Sequence, residues 1–222
     1  MNEQKSADTR GLITPFVERV VDKATCFSRC LLGNDLIKKG QFNAVDVART
    51  AKKVDIWVLA FILGEIFIYL CVAFLPASRP VWAYLLLLPI CYRVIDIAST
   101  AVRIPLFDIM HREERVVASN PRVVILGLIN YWELVLSFGT FYAFFKHHIG
   151  HGSSTVLDSF SPLYLSVITQ STIGYGDLWP TDWLRWLACL QTGVAILVLL
   201  LIIGRFITNL PKARGLDEKK GS

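Results

Sequence analysis

Long apolar segments alternate with polar, basic stretches along this chain of 222 residues. Each long segment has about 22 residues or more, and an α-helix of that length measures about 33 Å, close to the thickness of the hydrocarbon core of a bilayer. The pattern therefore predicts four membrane-spanning helices, at residues 54–75, 81–103, 123–145 and 183–210.

A shorter apolar stretch lies between the third and fourth long segments, at residues 160–176. It is too short to cross a bilayer as a helix. It also ends in a sequence interrupted by glycines, which is typical of a loop that enters the membrane and turns back. We therefore expect an all-α membrane protein with four spanning helices and one re-entrant loop.

Composition and charge agree with this fold and add an orientation. Hydrophobic residues make up 54% of the chain and charged residues 18%, unlike an average soluble protein. Lys and Arg concentrate in residues 1–53, 103–122 and 205–222. Because cytoplasmic loops accumulate these residues, both termini are expected in the cytoplasm. The net charge of +5 then reflects topology and attraction to membrane lipid, and no nucleic-acid partner is expected.

Residues 1–53 form a polar arm before the first predicted span. Apolar positions at helical spacing between Phe16 and Leu31 predict an amphipathic helix. This helix could lie on the inner membrane surface, pack against neighbouring subunits or a cytoplasmic partner, or form a short cytoplasmic bundle. Cys26 and Cys30 could supply half of a metal site, but no ligand nearby completes it, so ordinary packing is the expectation.

The candidate chemistry of the chain lies in residues 172–177, which read Thr-Ile-Gly-Tyr-Gly-Asp. Glycines permit backbone conformations that aim consecutive carbonyl oxygens toward one axis. Rings of such carbonyls at membrane depth replace the water shell of a cation. Because one chain supplies one such loop and a single loop cannot surround an ion, the expected assembly is a homotetramer around a central pore.

With this sequence near its centre, the stretch of residues 160–210 resembles the pore module of tetrameric potassium channels. The resemblance implies an outer helix at residues 123–145, a pore helix at 162–171, a filter at 172–177 and an inner helix at 183–210. Ser161 and Pro162 read as the cap and first turn of the pore helix. The partly negative C-terminal end of that helix would favour a cation in the pore.

Individual roles in the filter also follow from the resemblance. It implies that Asp177 lies at the outer mouth and braces the filter against Tyr164 and Trp179. The residues that the resemblance assigns to the conducting filter are Thr172, Ile173, Gly174, Tyr175 and Gly176, with K⁺ bound at the first four.

Two departures from the family pattern stand out. Ile168 occupies the place where some bacterial channels carry a Glu four residues before the filter Thr, so the bracing of the filter differs here. Ile196 occupies the place where many inner helices bend at a Gly. Gly193 is therefore the candidate hinge, although Gly in membrane helices also permits close packing.

Ionisable groups inside the predicted spans form a second candidate site. Glu65, Arg93 and Glu133 each lie about eleven or twelve residues into their segments, near one depth. Because charges in the membrane are costly unless paired, we expect Arg93 to pair with Glu65 or with Glu133. The pair would fix helix packing, with a sensing or proton-linked role as the alternative. No segment carries a ladder of Arg or Lys, so steep voltage gating is not expected.

Three histidines cluster near the end of the third span: His147, His148 and His151. They could bind a divalent ion or respond to external pH, although exposed loop histidines usually do neither.

The predicted function is passive, potassium-selective conduction by a multi-pass protein of the cell membrane. No catalytic residue is expected, and no cofactor besides the permeant K⁺. The alternatives are a weakly selective cation channel and a membrane sensor or assembly subunit whose pore loop does not conduct. The predicted organisation is a cytoplasmic arm at 1–53, two peripheral transmembrane helices at 54–103, a cytoplasmic linker at 104–122, the pore module at 123–210 and a cytoplasmic tail at 211–222.

Overall fold

The computed structural model of the protein describes residues 19, 44–74, 81–106, 120–153 and 155–208. Apart from Arg19, which is helical, the predicted amphipathic helix lies outside the described residues, as do both arm cysteines and the C-terminal tail. The helices are α1 (Ala44–Phe74), α2 (Leu87–Leu106), α3 (Asn120–Phe144), α4 (Ser161–Gln170) and α5 (Leu184–Thr208). Short 3₁₀ turns occupy Val81–Leu86 and Lys146–His148, and two strands are β1 (Ile149–His151) and β2 (Leu178–Pro180).

Four of these helices are long and apolar enough to cross a membrane. Their spanning parts are Lys52–Phe74, Ala83–Val102, Val124–Phe144 and Leu184–Ile207. The predicted all-α membrane fold with four spans is thus confirmed. The second span opens with a 3₁₀ turn before α2. Pro89 lies in the first turn of α2, where the missing N–H of proline leaves no helical hydrogen bond unmade.

One hydrophobic core joins α2, α3, α4 and α5. α3 packs against α1, α4 and α5, while α2 packs mainly against α5. The second span therefore shares its core with residues 123–210. Core side chains come from α2 (Val94, Ile97), α3 (Leu134, Phe138), α4 (Leu165, Ile168) and α5 (Val194, Val198).

The contact between α3 and α4 is close enough to require a glycine. A Cβ atom at Gly139 would lie 2.9 Å from Cδ1 of Leu163 and 3.3 Å from its Cα. The backbones of the two helices therefore approach each other directly, as is common in membrane helix packing. This approach fixes the position of the short helix α4 within the bundle.

A small two-stranded sheet that the sequence did not predict lies at one end of the bundle. We call it the hairpin, although residues 152–177 lie between its strands. β1 and β2 are antiparallel, with Ile149 opposite Pro180 and His151 opposite Leu178. The indole of Trp179 lies against Gly150, where an added Cβ would come within 2.3 Å of its Nε1. Because β1 follows α3 and β2 precedes α5, the hairpin ties these two helix ends together.

A buried ionic cluster joins α2 to α3. Arg93 is 3% exposed, and its guanidinium contacts both oxygens of Glu133, from Nε to Oε1 at 2.5 Å and from Nη2 to Oε2 at 2.8 Å. Its Nη1 donates to Oδ2 of Asp96 at 2.8 Å, and Nη2 reaches Oδ1 of Asn130 at 3.3 Å. The sequence left Glu65 and Glu133 as alternative partners of Arg93, and in the structure Arg93 pairs with Glu133.

Glu65 is buried near this cluster but has a different partner. It is 2% exposed, and its Oε1 accepts a hydrogen bond from the Ser137 hydroxyl at 2.8 Å. Among the residues that the structure describes, its Oε2 has no hydrogen-bond partner. The carboxylates of α2 and α3 thus satisfy Arg93, and α1 is joined to α3 through a neutral hydroxyl.

Removing the guanidinium should destabilise the helix bundle strongly. In Arg93→Leu, the carboxylates of Glu133 and Asp96 stay buried without a cation, which costs about 3–5 kcal/mol. Arg93→Leu combined with Glu133→Leu should recover part of this loss, because one of the two orphaned charges disappears with its partner. The measurement is the temperature at which purified protein in detergent leaves its monodisperse size-exclusion peak.

Arg122→Leu is the matched control. Arg122 pairs with Asp55 at 2.7 Å, but both side chains are partly exposed, so its loss should cost about 0–1 kcal/mol. Equal midpoint temperatures of unfolding for Arg93→Leu and Arg122→Leu would contradict a structural role for the buried cluster.

Candidate functional site

The 172–177 segment begins near the middle of the bundle and ends at the hairpin. α4 has 10 residues, which gives about 15 Å of helix. At its C-terminal end, Nε2 of Gln170 donates to the carbonyl of Tyr131 at 2.6 Å, and Tyr131 lies in the first half of the α3 span. The chain is back at the end of α3 by Leu178, which pairs with His151. The segment therefore enters the bundle and returns from it.

A capping motif at the end of α4 shapes the start of the segment. The N–H of Thr172 donates to the carbonyl of Thr169 at 3.2 Å, and the N–H of Ile173 donates to the carbonyl of Ile168 at 3.1 Å. This pair of bonds defines a Schellman motif, whose left-handed position is usually a glycine. Here it is Thr172, with φ +59°. A β-branched residue in this conformation is strained by about 1–3 kcal/mol.

Along the 172–177 segment, the sign of the backbone φ angle then alternates from residue to residue. Thr172, Gly174 and Gly176 have φ of +59°, +54° and +78°, while Ile173 and Tyr175 between them have negative φ. Alternating hands turn successive peptide planes in a way that allows their carbonyls to face one side. The N–H groups of Ile173 and Gly174 both point to the Ile168 carbonyl, so one edge of the segment is held against α4.

The other side of the segment is open in a single chain. Residues 171–176 are all exposed, including the apolar side chains of Ile173 at 53% and Tyr175 at 70%. A Cβ added at Gly174 or Gly176 would meet nothing within 4 Å. Within one chain, these glycines are therefore required by their positive φ and not by lack of space.

The residues predicted to support the segment divide into two groups. Asp177 lies close to Tyr164 of α4, and burial, followed by the neighbouring Asp177 carboxylate, raises the pKa of Tyr164. Oδ1 of Asp177 has no hydrogen-bond partner among the described residues. Trp179 packs on Gly150 in the hairpin. The structure thus brings Tyr164 and Asp177 together and gives Trp179 a place in β2.

The start of α4 is held by a residue that sequence reasoning missed. Ser161 is the first residue of the helix, and Oδ1 of Asp158 accepts hydrogen bonds from the N–H groups of Phe160 at 3.0 Å and Ser161 at 2.7 Å. The hydroxyl and N–H of Ser161, followed by the N–H of Phe160, hold the pKa of the Asp158 carboxyl below its usual range. The predicted cap at Ser161 is therefore corrected, since Ser161 is the first residue of the helix and the carboxylate that bonds there belongs to Asp158, whereas Pro162 lies in the first turn as predicted.

Behind α4 lies a buried polar network centred on Gln191 of α5. The Nε2 group of Gln191 donates to Oγ of Ser166 at 2.8 Å, to the Ser166 carbonyl at 3.0 Å and to Oε1 of Gln170 at 3.2 Å. Its Oε1 accepts from the Tyr142 hydroxyl at 2.8 Å. One side chain of α5 thus bonds to both α3 and α4.

The network continues from α4 to the backbone of α3. The Ser166 hydroxyl donates to the carbonyl of Val135 at 2.7 Å, and Gln170 donates to the carbonyl of Tyr131. These residues are polar but fully or nearly fully buried, and each has its partner within the bundle. The only sequence signal for them was a few uncharged polar residues inside apolar helices, which does not identify partners.

Gly193, the predicted hinge, lies two residues after this network. It is exposed, and an added Cβ would meet nothing within 4 Å. α5 is continuous through this position. Gly193 therefore does not serve close packing within the chain, and its role as a hinge stays a prediction.

The three histidines lie at the hairpin but do not converge. Nδ1 of His148 lies 3.0 Å from Oδ2 of Asp182, and this contact holds the pKa of the Asp182 carboxyl below its usual range. His147 stacks on His148 with ring centroids 4.2 Å apart, and a ring nitrogen of His151 faces the carbonyl of Gly152. In the part of the chain that the structure describes, no three His, Cys, Asp or Glu residues are grouped to hold a metal ion.

The Gln191 network should be essential for stability. Gln191→Leu keeps the side-chain volume but leaves the Tyr142 hydroxyl and the Gln170 amide oxygen without their bonds, at about 1–3 kcal/mol for each buried group. We expect a clearly lower thermal midpoint in detergent. Thr192→Val is the control, because the Thr192 hydroxyl bonds to the Ala188 carbonyl of its own helix and, within the described residues, to no other helix. A midpoint for Gln191→Leu as high as that of Thr192→Val would disprove this role.

Comparison with known proteins gives a match for part of this chain. Residues 131–211, which include the second half of α3, α4, the 172–177 segment, β2 and α5, match the model of a family described as ion channel. The match covers about a third of the 222 residues. Neither a search of curated proteins nor a search of solved structures gave a match. The family match supports an ion-channel function for this helical membrane protein, and so a role in transport rather than in catalysis.

Proposed function

We propose that four copies of this chain assemble around a common axis and conduct K⁺ passively between their 172–177 segments. The observation that carries the proposal is the alternating backbone of this segment at the end of a buried short helix. With one edge bonded to α4, the opposite edge is free to present carbonyl oxygens to an ion. Thr172, Ile173, Gly174 and Tyr175 would supply these oxygens, and Gly176 would complete the filter.

Electrostatics favour a cation at this place. α4 ends near the middle of the bundle, and the C-terminal end of a helix carries a partial negative charge of about half an electron. Four such ends around one axis would stabilise a dehydrated cation before it enters the carbonyl rings. The Asp177 carboxylate, at the hairpin end of the segment, adds negative charge at the mouth.

The surface that a single chain leaves uncovered supports the proposed assembly of several copies. Exposed backbone carbonyls at membrane depth are tolerated where they face protein or a water-filled passage. Residues 171–176 are exposed on one chain, as are the large side chains of Ile173 and Tyr175. Neighbouring copies would cover the side chains and leave the carbonyls facing a central pore.

The remaining features of the proposal rest on the sequence. The distribution of Lys and Arg supports cytoplasmic termini and a hairpin on the external side. In the spanning part of the second helix, Ala83–Val102, Arg93 is the one Arg or Lys, and it is bound to carboxylates, so it adds no gating charge that can move. Steep voltage gating is therefore not part of the proposed function.

Potassium selectivity is tested by reconstituting the full chain in planar bilayers. Under a tenfold K⁺ gradient balanced with Na⁺, a selective pore reverses near the K⁺ equilibrium potential, about 59 mV from zero. We expect this value and block by barium. A reversal potential near zero would indicate a weakly selective cation channel, which the unpartnered Oδ1 of Asp177 would then help to explain. Absence of current from folded tetramers would favour a non-conducting sensor or assembly subunit.

Two glycines provide a matched pair of variants for the same assay. Both Gly174 and Gly204 have open space around an added Cβ, but only Gly174 has positive φ. Gly174→Ala should therefore abolish selective current, while Gly204→Ala should conduct as the wild type does.

The strain at Thr172 gives a separate prediction. Thr172→Gly should raise the thermal midpoint, because a glycine adopts φ +59° without strain. It should nevertheless reduce the K⁺ current, because in the proposed filter the Thr172 hydroxyl faces the innermost ion site together with its carbonyl. Thr172→Ser keeps the hydroxyl and should keep the current. Asp182→Gly makes the same kind of backbone change at φ +47°, outside the segment, and should leave the current unchanged. Wild-type current in Thr172→Gly would argue against a hydroxyl role in conduction.

A further inference from the structure

A cavity of about 260 Å³ lies between α1 and α2, away from the 172–177 segment. Its walls are almost entirely apolar. Ala60, Gly64 and Pro89 at its edge are exposed, so the cavity opens on the surface of the helix pair. The residues that matter for its chemistry are Trp57, Phe61, Gly64, Glu65, Ile68 and Ile90.

Two polar atoms that belong to the cavity wall lack partners. Oε2 of Glu65 and Nε1 of Trp57 are buried and form no hydrogen bond among the described residues. Leaving one such group unsatisfied costs about 1–3 kcal/mol, and more for a charged group. Glu65 is 2% exposed, so water at the protein surface does not satisfy it either. Oε2 of Glu65 can accept a hydrogen bond from a donor group of a ligand in the cavity, whereas the Trp57 N–H would need an acceptor.

The charges around the cavity favour a cationic ligand. Arg93 is already bound by Asp96 and Glu133, while Glu65 receives only the neutral hydroxyl of Ser137. One guanidinium thus faces three carboxyl groups in the same buried region. A donor beside Glu65 would satisfy its unpartnered carboxyl oxygen, and a positively charged donor would also offset the excess of acids in the cluster.

We infer that this cavity binds a small apolar amine whose protonated nitrogen donates to Glu65. The rings of Trp57 and Phe61, with centroids 4.7 Å apart and edge to face, form a wall for its apolar body. The Trp57 ring can attract its cationic head, while the Phe61 ring already lies 5.3 Å from the Arg93 guanidinium. The volume corresponds to about nine waters at ~30 Å³ each, which suits an amine of roughly nine heavy atoms. A lipid acyl chain would fill the space but offers no donor for Glu65.

The inference does not depend on ion conduction. The cavity lies on α1 and α2, outside the residues 131–211 that match the ion-channel family. Binding can therefore be measured directly, in the full chain, without recording current.

The test uses an alkylamine of eight carbons that carries an aliphatic diazirine, added to proteoliposomes and photolysed. The alcohol of the same length and label is the neutral probe. We expect saturable labelling by the amine on α1 and α2 at the cavity residues, displaced by unlabelled octylamine. Mass spectrometry of peptides maps the labelled positions.

Two variants separate charge recognition from fit. Glu65→Gln removes the carboxylate, and the loss of a charge-assisted hydrogen bond of about 1.5–3 kcal/mol should weaken amine labelling about ten- to hundredfold. Gly64→Leu fills the cavity without touching Glu65 and should also remove labelling, since an added Cβ there meets nothing within 4 Å. Gly204→Leu, at an equally open glycine of α5, is the control and should label as the wild type.

Three results would overturn the inference. Equal labelling by the amine and the alcohol would show that the cavity accepts apolar molecules and does not discriminate between charged and neutral ones. Labelling that survives both Glu65→Gln and Gly64→Leu would place the amine elsewhere. Absence of saturable labelling in wild-type protein, with cross-links between copies of the chain at these residues, would show that a second subunit occupies the cavity.

Discussion

The fold depends on one constraint, namely that every polar group held at membrane depth must find a partner inside the protein. α4 ends in the middle of the bundle, where an isolated helix end would leave carbonyls and amides unbonded. At this end the N–H groups of Thr172 and Ile173 bond to the carbonyls of Thr169 and Ile168. The Gln191 network fixes the position of the helix by joining the side chains of α4 to α5 and to backbone carbonyls of α3. With α4 fixed in this way, the 172–177 segment has a defined starting point and a defined return path to the hairpin.

The two buried polar regions of the bundle satisfy the constraint to different degrees. Behind α4, uncharged groups bond to one another and to backbone, so no ionised side chain is needed. Between α1, α2 and α3, one Arg and three acids meet, and Oε2 of Glu65 and Oδ1 of Asp96 stay unpartnered among the described residues. The first arrangement is that of a scaffold. The second has unused bonding capacity, which is why it, and not the Gln191 network, suggests a ligand.

Hydropathy was sufficient to predict the four spans and the re-entrant stretch, because both depend on segment length against bilayer thickness. It could not predict the placement of α2 in the core of α3, α4 and α5, since apolar residues in a membrane helix face lipid and protein alike. Nor could spacing along the chain choose Glu133 over Glu65 for Arg93, because residues at one depth are equivalent until the helices are arranged. The hairpin and the Asp158 cap were missed for a similar reason, as three-residue strands and loop carboxylates have no periodic pattern.

The strain at Thr172 depends on the packing of the elements on both sides of it. A left-handed threonine survives only where its surroundings leave it no alternative. Here the preceding helix is held at its start by Asp158, along its length by Gly139 and Ser166, and at its end by Gln170. The segment that follows returns to a hairpin whose register is fixed by strand pairing. Because both ends are fixed, relaxing Thr172 alone would require moving α4 or the hairpin, and the packing that opposes this movement is what maintains the alternating backbone on which the proposed conduction rests.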